Sequence, residues 1–312
     1  MDAPRPTLCT DVETAAATVL ESAAARAVAA LAERSRDVVT TVLTHASVRS
    51  FAADSVPEDV VAALEAALVR GPTSSALHSY AHVIVRNPER KRRIAQLAGD
   101  QPWIDRAPLL IVGCADLRRA REVTHTQGYR YTAHDLRMLI SATADLTIGL
   151  QNASLVAQSL GYGTVMLGGV LNGSLEIAEL LGLPARVVPL VGLSVGRPKG
   201  DRWPAPGPRL PLPLVVHHER WTLDDEAERA LLAAHDAVTR ARGDFEGRRI
   251  PWSAMGVGGD DPVPDGAYGW LEHTARKQGR ATWVAQGAKV DVDLPAQGLR
   301  VRATGDADDP ER

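Results

Sequence analysis

The chain has only two cysteines, Cys9 and Cys114, in 312 residues, too few for a disulfide framework. Cys114 lies in the apolar run LLIVGCAD and reads as a small buried hydrophobe, so nothing asks for an oxidising compartment. Net charge is scarce too: 35 basic and 38 acidic side chains leave -3 at pH 7. Without a global basic field nucleic acid is not an expected partner, and any anion site must be local. The first residues include Asp2, Glu13 and Glu21 and no unbroken apolar core, so no secretory signal is expected. A charge-free stretch, Leu146 to Leu175, exceeds a membrane span in length. It is broken by GYG, GG and NG, and it holds Gln151, Asn152, Ser154, Gln158 and Ser159, whose polar groups lipid would leave unpaired. The expectation is a buried helix, a turn and a short buried segment, in a soluble cytoplasmic protein with no membrane partner.

Familiar catalytic signatures are missing as well. GLSVG at 192–196 has the spacing of a serine-hydrolase elbow, but Arg197 and Pro198 follow where a helix must begin. GYGTVM lacks the third glycine of a dinucleotide fingerprint and its strand-turn-helix setting. His217 and His218 would face opposite sides of a strand. His78 and His82 are four apart, with no third ligand and a strand ahead of them. No metal site, P-loop or catalytic triad is expected.

What is present organises into four stretches: an Ala-rich helical extension over 1–40, a compact α+β core over 41–200, a C-terminal excursion over 201–285 and a tail over 286–312. In the core, Ser55-Val56-Pro57-Glu58 reads as a capping box opening a helix to Arg70, stopped at Gly71. AHVIVRN, PLLIVGCAD and VVPLVGLSVG read as strands, and LRMLISATADLTIGLQNASLVAQSLG as one or two long helices. The run RPKGDRWPAPGPRLPLPL is too rich in proline to be helix or central strand and should run extended over a surface. DDEAERALLAAHDAVTRAR and YGWLEHTARKQGRA are helical patterns, the second being the last expected helix. After about residue 286 the weak alternation KVDVDL leads into a polar tail.

The segment THASVRSF places His45, Ser47 and Arg49 at alternate positions. In an extended chain all three point to one side. That is either a seat for an anion or an ordinary solvated loop.

Six segments decide between these by their order: HASVRSF, PTSSALHSYAHVIV, GDQPWIDRAPLLIVGCADLRR, QNASLVAQSLGYGTVMLGGVLN, LLGLPARVVPLVGLSVGRP and GPRLP. Together they resemble the nitroreductase superfamily from about residue 41 to about 281, most nearly the oxygen-insensitive NADPH nitroreductases and NADPH-flavin oxidoreductases. The resemblance implies an α+β fold with a mixed, mainly antiparallel sheet flanked by helices, and an intertwined homodimer. It implies bound FMN, with the phosphate taken by Arg49 and Arg209 as planar, two-pronged donors and by His45 and Ser47. Thr73, Ser74, Ser75 and Gln101 match residues that reach the ring and ribityl chain. Leu167, Gly168 and Gly169 match bare backbone beside the ring. In TRARGDFEGRRIPW, Arg242 and Arg248 match an arginine pair that binds the 2′-phosphate of NADPH, with Arg249 the lesser contact. The sequence departs from the family pattern at Ala46 and Gly207, where cations are common, and at His78, where a polar amide is common.

The activity implied is that of an FMN-dependent NAD(P)H oxidoreductase. Such enzymes pass a hydride by ping-pong chemistry through FMN N5 to a nitroaromatic, quinone, flavin or pathway intermediate, with no catalytic side chain required. Two alternatives stay open: a dehydrogenase or oxidase of the same fold that does not use nicotinamide, and a non-catalytic flavin-binding protein.

Overall fold

Strand β2 (Leu109–Asp116) is buried along its whole length, as a run of apolar residues in the middle of a sheet must be. In the computed structural model, which describes residues 38–200 and 203–300, β2 lies between β1 (Tyr80–Val85) and β4 (Val187–Gly196). On the far side of β4 lies β3 (Gly163–Leu167). The register pairs Tyr80 with Ala115, Leu109 with Val195 and Gly163 with Gly196. The α+β class is as expected. All the strand pairs among the described residues are antiparallel, so the mixed character expected of the sheet is not seen there.

The helices are α1 (Val38–Leu43), α2 (Glu58–Leu68), α3 (Pro88–Leu97), α4 (Pro102–Arg106), α5 (Arg118–Thr126), α6 (Asp135–Ser159), α7 (Ser174–Leu181), α8 (Asp225–Ala241), α9 (Trp270–Gly279) and α10 (Ala281–Ala296). Because strand side chains alternate, β2 feeds two cores. Leu109, Ile111 and Ala115 pack with Leu64 and Leu68 of α2 and with Leu146, Leu150 and Ala153 of α6. Leu110, Val112 and Cys114 pack on the other face with Ile94 of α3, Ile104 of α4 and Ile177 of α7. Helix α6 presses so closely on the sheet that a Cβ on Gly113 would stand 3.0 Å from Leu150. No helix among the described residues is long and apolar enough to cross a membrane.

Four local expectations are corrected. The capping box does not form: α2 starts at Glu58, with Pro57 at the cap and no side-chain cap bond. Glu58 is thus the first helical residue, too early to reach back to the cap, and its carboxylate takes a hydrogen bond from Arg86 at 2.9 Å instead. The same helix ends at Leu68, two residues before Arg70. His217 and His218 lie in no strand, and the His217 ring stacks on Trp221 at 3.9 Å. Finally, residues 286–296 are not a weakly alternating tail but the body of α10, the last helix among the described residues. Lys289 there bonds Asp293 one turn on and Glu176 of α7 at 2.9 Å, and Asp293 and Leu294 are buried. Glu176 is distant in sequence from Lys289 and invisible to local pattern.

The chain forms two compact units. One contains Ser47–Trp203 and the segment from Lys289; the other contains Pro204–Ala288 and the segment ending at Ala46. Of the helical extension expected over 1–40, residues 1–37 lie outside the described residues, as does the end of the tail, 301–312.

Candidate functional site

The alternation read in THASVRSF is visible as burial. Ala46 and Val48 are buried, whereas His45 and Ser47 are half-buried and Arg49 is exposed. The Val48 N–H donates to the Thr164 carbonyl of β3 at 2.9 Å, and only a glycine fits opposite it. A Cβ on Gly163 would come within 2.5 Å of the Val48 side chain. Beyond this contact Ala52 N–H reaches the Arg197 carbonyl at 2.8 Å, and Phe51 bridges Pro198. The segment after Ser47 is therefore stitched along β3 and the end of β4.

Strand β3 runs directly into Leu167, Gly168 and Gly169, and the two glycines do different things. A Cβ on Gly169 would stand 2.5 Å from the Ala98 carbonyl oxygen, so that position is dictated by packing on the end of α3. The same carbonyl takes a hydrogen bond from the Gln101 amide at 2.7 Å, so Gln101 lies against Gly169. A Cβ on Gly168 would meet nothing within 4 Å. Two residues after Gln101, Trp103 lies with its ring centroid 5.7 Å from the Arg49 guanidinium. Its indole Nε1 is buried without a hydrogen-bond partner. Arg49, Gln101, Trp103 and the glycine pair thus share one neighbourhood, and Trp103 is not among the residues that the family resemblance implies. The signal for Trp103 was its place in GDQPWI, directly beside Gln101. Bare backbone at Gly168, an orphaned donor and a cation suit a flat, hydrogen-bonding ring with an anionic tail, which is the shape of FMN.

The Thr73–Ser75 turn is held elsewhere in the same unit. Ser74 donates its backbone N–H and its hydroxyl to the Asp145 carboxylate of α6, each at 3.0 Å. That commits the Ser74 hydroxyl internally and leaves Ser75 exposed. Ser75, Ala76 and His78 all have left-handed backbones, with φ of 51°, 53° and 49°. Such strain costs about 1 kcal/mol or more at each position and gathers at ligand sites.

A cavity of about 560 Å³ opens just beyond this turn, walled by Leu68, Val69, His78, Tyr80, His82 and Arg119 among others. None of the expected FMN contacts lines it, so it is not where the sequence motifs converge. Burial pushes the His82 imidazole down to about 4, and neither ring nitrogen finds a partner.

Arg209, Arg242 and Arg248 belong to the other unit. Arg209 is exposed, with one N–H directed at the Gly207 carbonyl at 3.3 Å. Arg242 pairs with Asp244 at 3.1 Å. Arg248 is exposed on the loop after α8 and forms no ion pair among the described residues, whereas its neighbour Arg249 is tied to Asp261 and Asp265.

Residues 42–197 match the family model described as Nitroreductase family. The chain is 37% identical over 193 residues to an FMN reductase (NAD(P)H) of Bacillus subtilis, covering 61% of this chain and 76% of the relative. It is 31% identical to an NADPH-flavin oxidoreductase of Vibrio harveyi over 61% of this chain and 78% of the relative. Among solved structures, the hypothetical oxidoreductase YcnD from Bacillus subtilis superposes with a TM-score of 0.73 at 28% identity, over 85% of this chain and 99% of that one. The NADPH:FMN oxidoreductase from Vibrio harveyi, solved with NAD+, superposes at 0.68 with 25% identity, over 85% and 100%.

Proposed function

Since the chain belongs to the nitroreductase family, we propose that it works as an FMN-dependent NAD(P)H oxidoreductase with NADPH as its donor. The open backbone at Gly168, beside Gln101 and the Arg49–Trp103 pair, carries the reading. Bound FMN would supply the two-electron redox chemistry that links the nicotinamide donor to a small-molecule acceptor. The protein's part is to bind, orient and exclude. Arg49 and Arg209 grip the phosphate with charge-assisted hydrogen bonds, helped by His45 and Ser47. With Ala46 and Gly207 supplying no cation, the grip leans on these two arginines. Gly168, between Leu167 and Gly169, presents backbone to the ring where no Cβ intervenes, while Gly169 seats that turn against Ala98. Gln101, Thr73 and Ser75 offer the polar contacts for the ring and its chain, while Ser74 holds their turn through Asp145. Arg242 and Arg248 receive the 2′-phosphate, the group that separates NADPH from NADH.

The acceptor class is a nitroaromatic, a quinone or a free flavin, and the cytoplasm, where NADPH is maintained, is the compartment this implies. We assign a homodimer as the working form, because α6 leaves Leu136 and Ile140 exposed one turn apart, at 41% and 64%. Two exposed apolar side chains on one face of the central helix support contact with a second copy there. Steady-state oxidation of NADPH with a soluble quinone tests the activity. Parallel double-reciprocal lines are expected, since donor and acceptor use the same carrier in turn. Intersecting lines contradict the ping-pong scheme, and no NADPH oxidation contradicts the assignment of donor.

A further inference from the structure

Arg276 heads the fully buried side chains, only 2% exposed although it carries a charge. A buried guanidinium must have its donors answered, and nearly all are. Its two terminal nitrogens fork onto the two oxygens of Asp261, both at 2.6 Å. Nε donates to Glu272 one turn earlier at 2.6 Å, and Nη1 also reaches the Ile250 carbonyl at 2.9 Å. The rings of Trp252 and Tyr268 each lie 5.2 Å from its carbon centre. Asp261 is held well below the usual carboxylate range, chiefly by the Arg276 hydrogen bonds and then by Arg249.

Arg249 shares that carboxylate. Its Nε donates to Asp261 at 3.1 Å and its Nη1 to Asp265 at 3.0 Å, while Nη2 caps the Val263 carbonyl. Its guanidinium also lies 4.8 Å from the Tyr268 ring, and the Tyr268 hydroxyl accepts the Ile250 N–H at 2.9 Å. Two arginines around one aspartate therefore clasp residues 249–268 onto α9. Arg249 is turned inward by the clasp, and the residue before it, Arg248, is left exposed and without an ion pair among the described residues.

We propose that Asp261 and Arg276 are positioning residues for donor selectivity. By holding Arg249 inward they present Arg248 to the 2′-phosphate, so they set the preference for NADPH over NADH without touching the nucleotide. Adjacent arginines on an unclasped loop would exchange places and share their hydrogen bonds with Asp261, and a cation fixed in advance binds an anion better than one that must first be ordered. This rests on the reading that Arg242 and Arg248 receive that phosphate.

The test uses the FMN-loaded full chain, a soluble quinone as acceptor, and NADPH or NADH as donor. Asp261→Asn removes the charge at the centre of the clasp. Arg276→Lys keeps a cation but loses the fork, and it serves if the first variant folds poorly. Flavin content and melting temperature are recorded for each. The clasp predicts that KM for NADPH rises about tenfold while KM for NADH and both kcat values stay within about twofold. It also predicts that Asp261→Asn added to Arg248→Ala costs nothing further, because both act through one side chain. A parallel rise in both KM values, or effects that multiply in the double variant, would show a merely structural role and overturn the inference. If Arg248→Ala abolishes the NADPH preference but neither clasp variant does, positioning fails while the phosphate reading stands. If Arg248→Ala leaves the preference intact, or neither nucleotide is oxidised, the phosphate reading falls and the clasp proposal falls with it.

Discussion

Gly169 faces the carbonyl oxygen of Ala98 so closely that a Cβ would stand 2.5 Å from it, whereas the preceding Gly168 faces open space. The pair therefore separates packing from binding. Gly169→Ala must push backbone aside, which costs about 1–3 kcal/mol as overpacking does, and the flavin-free protein should melt earlier. Gly168→Ala meets no protein atom and has no left-handed backbone to strain, so the flavin-free protein should melt as wild type does. Its methyl group would instead fill the shelf, and FMN affinity, followed by quenching of flavin fluorescence, should drop by tenfold or more. Wild-type affinity in Gly168→Ala would remove the ring from this shelf.

Arg49 and Arg209 are assigned to the FMN phosphate. Losing one charged partner of a buried phosphate costs about 2–5 kcal/mol, a factor of thirty or more in affinity. Arg49→Ala and Arg209→Ala should each release flavin on dialysis while the protein stays folded. Full occupancy in both variants would leave the phosphate assignment without support.

The legible parts of this molecule are those governed by short-range pattern. β2 and β4 could be read because their apolar runs are bounded by turn residues, and the long charge-free stretch resolved into the second half of α6, a turn and β3, followed by a short 3-10 segment over Gly168–Gly173 and the start of α7 that were not read. GLSVG proved to be strand rather than elbow for the reason given by Arg197 and Pro198. What was illegible depends on distant partners. Nothing near Ser74 announces that Asp145, 71 residues on, will take both of its donors. Nothing in KVDVDL announces that Lys289 will meet Glu176 and turn a weak alternation into helix. The motifs that resemble the family point to Arg49, Gln101 and Gly168 but not to Trp103, whose place beside Arg49 depends on a partner more than fifty residues away.

His82 makes stability depend on pH in a definite direction. Its folded-state value, about 4, lies below the ordinary 6.5 because burial disfavours the cation. As pH falls through 6.5 the unfolded chain gains a proton that the folded one refuses until about 4, so stability is lost across that window. At pH 5 the loss from this one group is about 2 kcal/mol. His82→Phe should flatten the fall in unfolding free energy between pH 7 and pH 5, measured in urea. An unchanged slope would mean that other groups carry the acid sensitivity.

The proposed homodimer would cover Ile140, which is 64% exposed on α6. Sedimentation at micromolar concentration should give about twice the chain mass of 33.3 kDa. Ile140→Glu, which places a charge on that face, should shift the population toward single chains. A wild-type FMN-loaded protein that sediments as one chain would refute the dimer.

The visible spectrum of the purified protein under anaerobic conditions, before and after NADPH, tests the central claim most directly. The account predicts a yellow protein whose flavin absorption bleaches rapidly on mixing with NADPH and returns when a quinone is added. A colourless protein that binds no FMN, or a yellow one left unchanged by both NADPH and NADH, would contradict it.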